Sequence, residues 1–222
     1  MNNENMGLFL FASAIKNKTL DEIANAIIKY LKRRNILADI KLYSEWTDSN
    51  KNRAIDIRNI ISEPISITSI YQPRNRWTVV IFNNCHFDEK DISMYLSLEL
   101  QTLVSLVEVL DSEVWYHFAF YNGKQVDQFC SNPEEYEKKE ICSSFEGNIK
   151  KLSFYFEVDE QIIAPYLIPI NSENRIDLIS SKAHVGDRYT LGDEWIFIDF
   201  WKRLGIDYPT VLPHLVILHE ML

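Results

Sequence analysis

Glycine and cysteine are scarce in this chain, and the few present fall into no pattern. Its 222 residues include six glycines. Those at 123, 147, 186, 192 and 205 form neither a phosphate-cradling loop nor a dinucleotide fingerprint, so the sequence offers no nucleotide signature and points to no cofactor. The three cysteines, Cys85, Cys130 and Cys142, are an odd number without a CxxC pair. That excludes a disulfide framework and a zinc knuckle as sequence readings, and it fits a reducing cytoplasm. No apolar run reaches membrane-spanning length, and the N-terminal "MNNENMGLFLFASAIKNK" lacks the charged start and clean cleavage site of a signal peptide. The expectation is therefore a cytoplasmic protein with no membrane partner.

Positive charge is also in deficit. Lys and Arg number 23 against 32 Asp and Glu, for a net charge of −9. Phosphate-backbone binding needs a clustered basic excess, so nucleic acid is not expected as a partner. An acidic surface serves solubility in the first instance, and in the second it attracts a basic protein.

What the sequence has in plenty is apolar material, at 46 % of residues. That is enough for one sizeable core or two small ones. Residues 7–13 read as a buried strand. In "TLDEIANAIIKYLKRRN", Thr19 and Glu22 suit a capping box, Leu20, Ile23, Ala24, Ile27 and Leu31 recur at helical spacing, and Lys32, Arg33 and Arg34 complement the C-terminal end of the dipole. Residues 36–64 alternate weakly around a polar loop and read as an insertion carrying one or two short strands. "ISITSIY" alternates as an edge strand does, whereas "RWTVVIFN" is continuous enough to be central. Asp88 then caps a helix with Ile92, Tyr95, Leu96, Leu100 and Leu103 as its stripe, and the strand "VSLVEVL" follows.

The order strand, helix, strand, strand, helix, strand is that of a ferredoxin-like split βαβ sandwich, so the fold class expected is α+β. A β-hairpin extends it. "VWYHFAFYNGKQVDQF" turns at Asn122 and Gly123 and sets Trp115, His117, Ala119 and Tyr121 on one face of its first strand. Val114, Tyr116, Phe118 and Phe120 take the other face, and in the second strand Val126 and Gln128 alternate with Asp127 and Phe129. Composition changes near Ser131, which divides the chain into residues 1–130, the sandwich with its hairpin, and residues 131–222. The second region reads as mainly helical and packed on the first. In "TLGDEWIFIDFWKRLG", Asp193 or Thr190 would open a helix, apolar almost all round, that Gly205 closes. Such a helix is buried between layers, and it would cover the Trp115, His117 and Tyr121 face, unless a homodimer or a foreign partner does.

Four groups of residues invite a chemical reading. Cys85 and His86 beside Asp88 and Glu89 suggest a nucleophile and base, although adjacent loop residues seldom converge and Asp88 has a capping role. His214 and His219 are five apart, which suits neither a helical nor a strand metal pair, so no metal is expected. Asp111 and Glu113 are explained by turn chemistry. The cluster His184, Asp187, Arg188 and Tyr189, ahead of the C-terminal helix, is the leading candidate loop for binding, because loops on a rigid scaffold tend to carry function.

With Trp115, His117 and Tyr121, these four complete the expected binding set, and no residue is assigned to catalysis. The function expected is a non-catalytic bacterial-type interaction module, resembling an immunity or antitoxin-like inhibitor in kind, that docks on a basic protein. The bacterial character comes from the Asn, Ile and Lys usage. The second reading is a small-ligand sensor or enzyme with His86, His117 or His184 meeting a carboxylate in a cleft between the two regions.

Overall fold

The computed structural model describes residues 8–45, 66–83 and 87–221. Cys85 and His86, residues 46–65 and residues 1–7 lie outside the described residues, and with them most of the insertion expected at 36–64. The fold is α+β, with an eight-stranded antiparallel sheet and several helices. Among the described residues no helix is long and apolar enough to cross a membrane. The chain divides into two compact units, each assembled from three segments.

The first unit comprises Phe11–Val104, Phe120–Lys124 and Pro209–Leu222. Its strands are β1 (Leu10–Lys16), β2 (Ile36–Leu42), β3 (Ser66–Ile70), β4 (Trp77–Asn83) and β8 (Leu215–Met221), in the order β2-β8-β3-β4-β1. Helix α1 (Leu20–Arg33) begins at a capping box. The Thr19 hydroxyl accepts from the Glu22 amide at 3.2 Å, while the Glu22 carboxylate accepts from the Thr19 amide at 2.9 Å. Ile23, Ala24, Ile27, Tyr30 and Leu31 are buried, as the 3.6-residue period requires. Helix α2 (Glu89–Glu99) starts at Asp88, whose carboxylate accepts from the amides of Lys90 and Asp91. The two helices are tied through Asp91, which accepts from the Tyr30 hydroxyl at 2.8 Å and pairs with Arg34.

Two expectations need correction here. "ISITSIY" is no edge strand: β3 pairs with β4 on one side and β8 on the other, and all five of its residues are buried. The alternation that suggested a solvated face consists of small hydroxyls. Thr68 spends its hydroxyl on His219 Nε2 at 3.1 Å, inside the sheet. Nor is the C-terminal region helical to its end, since β8 joins the sheet and pairs along its whole length with β2. The sheet is thus much larger than a simple sandwich. A strand contributed from the far end of the chain leaves no local signal of where it pairs.

The turn between β6 (Val114–Tyr121) and β7 (Lys124–Cys130) has Asn122 and Gly123 at φ 49° and 75°, the handedness a two-residue hairpin needs. Gly123 is required twice over. A Cβ there would stand 2.9 Å from that of Leu98, and its amide donates to Ser97 Oγ at 2.9 Å.

The second unit comprises Met1–Leu10, Ser105–Ala119 and Gln125–Tyr208. It holds most of β5 (Leu103–Leu110), β6 and β7, then helix α3 (Ile149–Phe156), helix α4 (Ile196–Arg203) and several single helical turns. Helix α4 starts later than the acidic residues before it suggested, at Ile196, with Asp193 capping the preceding turn through the Trp195 amide. From Val114 to Ala119 both faces of β6 are covered, whereas Tyr121 at its end, expected under the same cover, is exposed. Trp115 packs on Phe129 and Phe200, His117 on Phe156 and Phe200, and on the opposite face Tyr116 packs on Phe145. Aromatic pairs at such separations add specific stacking energy to their buried area.

Candidate functional site

The residues read from the sequence as a binding set separate into three places. Trp115 and His117 are inside the second unit and inaccessible. Tyr121 belongs to the other unit and is 39 % exposed, on a surface hollow shared with Leu98, Gln101 and Asn122. His184, Asp187, Arg188 and Tyr189 form one loop.

That loop is held from within. The Asp187 carboxylate is buried and accepts from the Tyr166 hydroxyl at 2.7 Å, from Arg203 at 2.6 Å and from the His184 amide at 2.8 Å. The burial that would raise its pKa is outweighed by these donors, so the carboxyl is held below the ordinary range and stays ionised. Asp199 of α4, also buried, accepts from the backbone amides of Arg188 and Tyr189 at 2.7 and 2.8 Å. Lys182 donates to the Asp187 carbonyl, and the Leu191 amide closes the base on Ser181. His184 turns its ring to the Ile162 carbonyl at 2.8 Å. The apex consequently presents Val185 fully exposed, beside a glycine with open space around it.

The interior of the same unit contains a serine and a histidine at hydrogen-bond distance. Ser105 Oγ lies 2.9 Å from His117 Nε2 and accepts from Trp201 Nε1 at 3.0 Å. A serine activated by an imidazole is the arrangement of nucleophilic catalysis, but all three side chains are completely buried, so no substrate reaches them. His117 Nδ1 has no partner. Burial without a counter-charge drives the imidazole pKa down to about 3, which keeps it neutral.

A third place was not singled out from the sequence. Asp127 of β7 lies beside a cleft of about 440 Å³ with Gln128, Ser144, Glu146, Asn148 and Lys151 around it. Its Oδ1 accepts from the Asn148 amide at 2.8 Å, whereas its Oδ2 is buried without a partner. Gln128 Nε2 donates to the Ser144 carbonyl and hydroxyl at 3.0 and 3.1 Å and so fixes that wall. The signal that would have found Asp127 is its place two residues before Phe129, on the inward side of the strand.

Neither the His117 nor the His184 ring is bonded to a carboxylate, and His86 lies outside the described residues. Among the described residues, no group of three metal-ligating side chains is placed to hold a metal ion. Comparison with protein-family models, with curated proteins and with solved structures finds no match to this chain.

Proposed function

We propose that this chain is a non-catalytic protein-interaction module, of the immunity or antitoxin-like inhibitor kind, directed at a basic protein and working in a reducing cytoplasm. The observation that carries the reading is the 181–191 loop. Two buried carboxylates lock it from below, and the residue they hold at its apex, Val185, is apolar and fully exposed. A rigid loop that displays an apolar anchor binds without an ordering cost, which favours protein recognition. Phe154 and Ile176 of the same unit are also largely exposed. The net charge of −9 supports a basic partner through steering of the encounter. Cys130 and Cys142, both free, accord with a reducing compartment. We read β1, α1, β3, β4, α2 and β5 as the ferredoxin-like split βαβ arrangement, enlarged by β2 and β8.

The test is capture on the immobilised chain from lysate at low and high salt, followed by binding of the purified partner. The expected outcome is one stoichiometric basic protein that dissociates steeply with salt and whose affinity falls about tenfold or more in Val185→Asp. No retained protein, or binding indifferent to both salt and Val185→Asp, would overturn the reading.

A further inference from the structure

The cleft beside Asp127 contains an acceptor that the fold itself does not use. Its size is that of small-ligand sites, and Gln128, Ser144, Glu146, Asn148 and Lys151 give it hydrogen-bonding walls. Asp127 lines it while only 7 % exposed, and its Oδ2 has no hydrogen-bond partner. The Oδ1 bond to the Asn148 amide ties β7 to the cap of α3, and an asparagine would make that bond equally well. The structural role therefore leaves the charge and the second oxygen unexplained. Burial pushes the carboxyl up to about 7, against the opposing pull of the Asn148 amide, of Lys151 and of the Gln128 amide. The charged groups facing it are Lys151 from α3 and Glu146 from the turn before it, and Lys151 makes no ion pair with it among the described residues. A locally unfavourable residue of this sort is what a functional site retains.

We infer that this cleft binds a primary ammonium group, with Asp127 Oδ2 accepting its N–H and the oxygens of Glu146, Gln128 and Ser144 offering further acceptors. An anion would meet Asp127 and Glu146 as like charges, and an apolar ligand would strand the polar walls. An ammonium supplies both the missing donors and the missing counter-charge. The Cβ–Cγ torsion of an aspartate is soft, so a small rotation carries Oδ2 to the cleft. The ammonium comes either from a lysine side chain of a protein or from a free amine. The first source rests on the interaction reading above and deepens it.

The experiment follows the Asp127 carboxyl carbon by NMR in the intact chain through pH, with n-butylammonium chloride. Tetramethylammonium chloride at equal ionic strength is the control that lacks an N–H. The expected result is a saturable fall of the Asp127 midpoint with n-butylammonium alone, with binding roughly a hundredfold tighter near pH 8 than near pH 5, as proton linkage requires of a carboxyl with a free midpoint of about 7. Lys151→Gln, which removes a competing cation, should tighten binding several-fold, and Asp127→Asn should abolish it. An equal response to tetramethylammonium, no saturable response, loss of binding in Lys151→Gln, or undiminished binding in Asp127→Asn would each overturn the inference. Tighter binding of Nα-acetyl-lysine N-methylamide than of n-butylammonium assigns a protein-borne lysine, and the reverse assigns a free amine. A basic protein captured equally by wild type and Asp127→Asn, with n-butylammonium silent, sinks this inference and leaves the interaction reading standing. Binding of n-butylammonium with no basic protein captured does the opposite.

Discussion

Two side chains of one unit each bury a polar atom without a partner, His117 Nδ1 and Asp127 Oδ2, and they have little else in common. His117 is closed in by Phe156 and Phe200 and joined to Ser105 and Trp201, all of them sealed from water. Asp127 sits at a cleft. Burial acts on both, yet in opposite directions of charge: it discharges the imidazole by removing a proton and the carboxyl by retaining one. The sealed knot contains the residue types of a hydrolase and has no access. The cleft has an unremarkable residue list and, in its wall, an unfilled acceptor that a small side-chain rotation brings to a ligand. Access, not residue type, separates a structural polar cluster from a site.

The largest effect expected from this contrast is on stability against pH. His117 titrates near 3 when folded against 6.5 when free. The unfolded chain therefore binds the extra proton within that window, and stability is complete above about 6.5 and lost as pH falls. Asp127 titrates near 7 when folded against 3.8 when free. There the folded chain holds the extra proton, and stability is complete below about 3.8 and lost as pH rises through 7. At about 1.4 kcal/mol per pH unit the two windows carry about 5 and about 4 kcal/mol. Between about pH 4 and 6.5 they oppose each other and nearly cancel. Asp127→Asn should unmask the histidine: urea unfolding of the variant should show stability climbing by about 3 kcal/mol over that interval, and a more stable protein than wild type near pH 8. A variant whose stability is as flat as the wild type, or falls with rising pH, would break the comparison.

Next in size is the cost of opening the knot. Ser105→Ala removes the acceptor of the Trp201 indole N–H and the partner of His117 Nε2 together. Each stranded buried group costs about 1–3 kcal/mol, so for the two a loss of about 2–6 kcal/mol is expected by chemical denaturation. A loss under about 1 kcal/mol would mean that water enters the knot and that it is not sealed.

How far the sequence made these places legible depended on how local their causes were. Both long helices of the first unit were readable because their caps, Thr19 with Glu22 and Asp88, sit next to the residues they serve. The hairpin was readable because Asn122 and Gly123 are adjacent residues that tolerate the positive φ its turn needs. The pairing of β8 with β2 and β3 was not, since no short-range pattern announces partners some 145 to 185 residues away. The loop at 184–189 stood out by composition, but its lock did not: Tyr166, Asp199 and Arg203 reach it from other segments. Asp127 was visible as a charge in an aromatic hairpin. That its second oxygen lacks a donor depends on where Asn148 and Lys151 arrive, and a strand pattern does not encode that.

The smallest effect belongs to the rim of the cleft, where the contrast with the knot is sharpest. Ser144 accepts from Gln128 Nε2 and donates to the Ile141 carbonyl, and Gln128 in turn accepts from Gln125. These are three hydrogen bonds against the two of the knot, and by count alone the rim would be the costlier place to disturb. Every group on the rim has water at hand, however, and Gln128 keeps its second bond to the Ser144 carbonyl whatever side chain is present. Ser144→Ala should therefore cost less than about 0.5 kcal/mol, as surface substitutions do, against several for Ser105→Ala, both measured by urea unfolding at one pH. Equal losses at the two serines would show that the rim is as constrained as the interior, and access would no longer explain the difference between them.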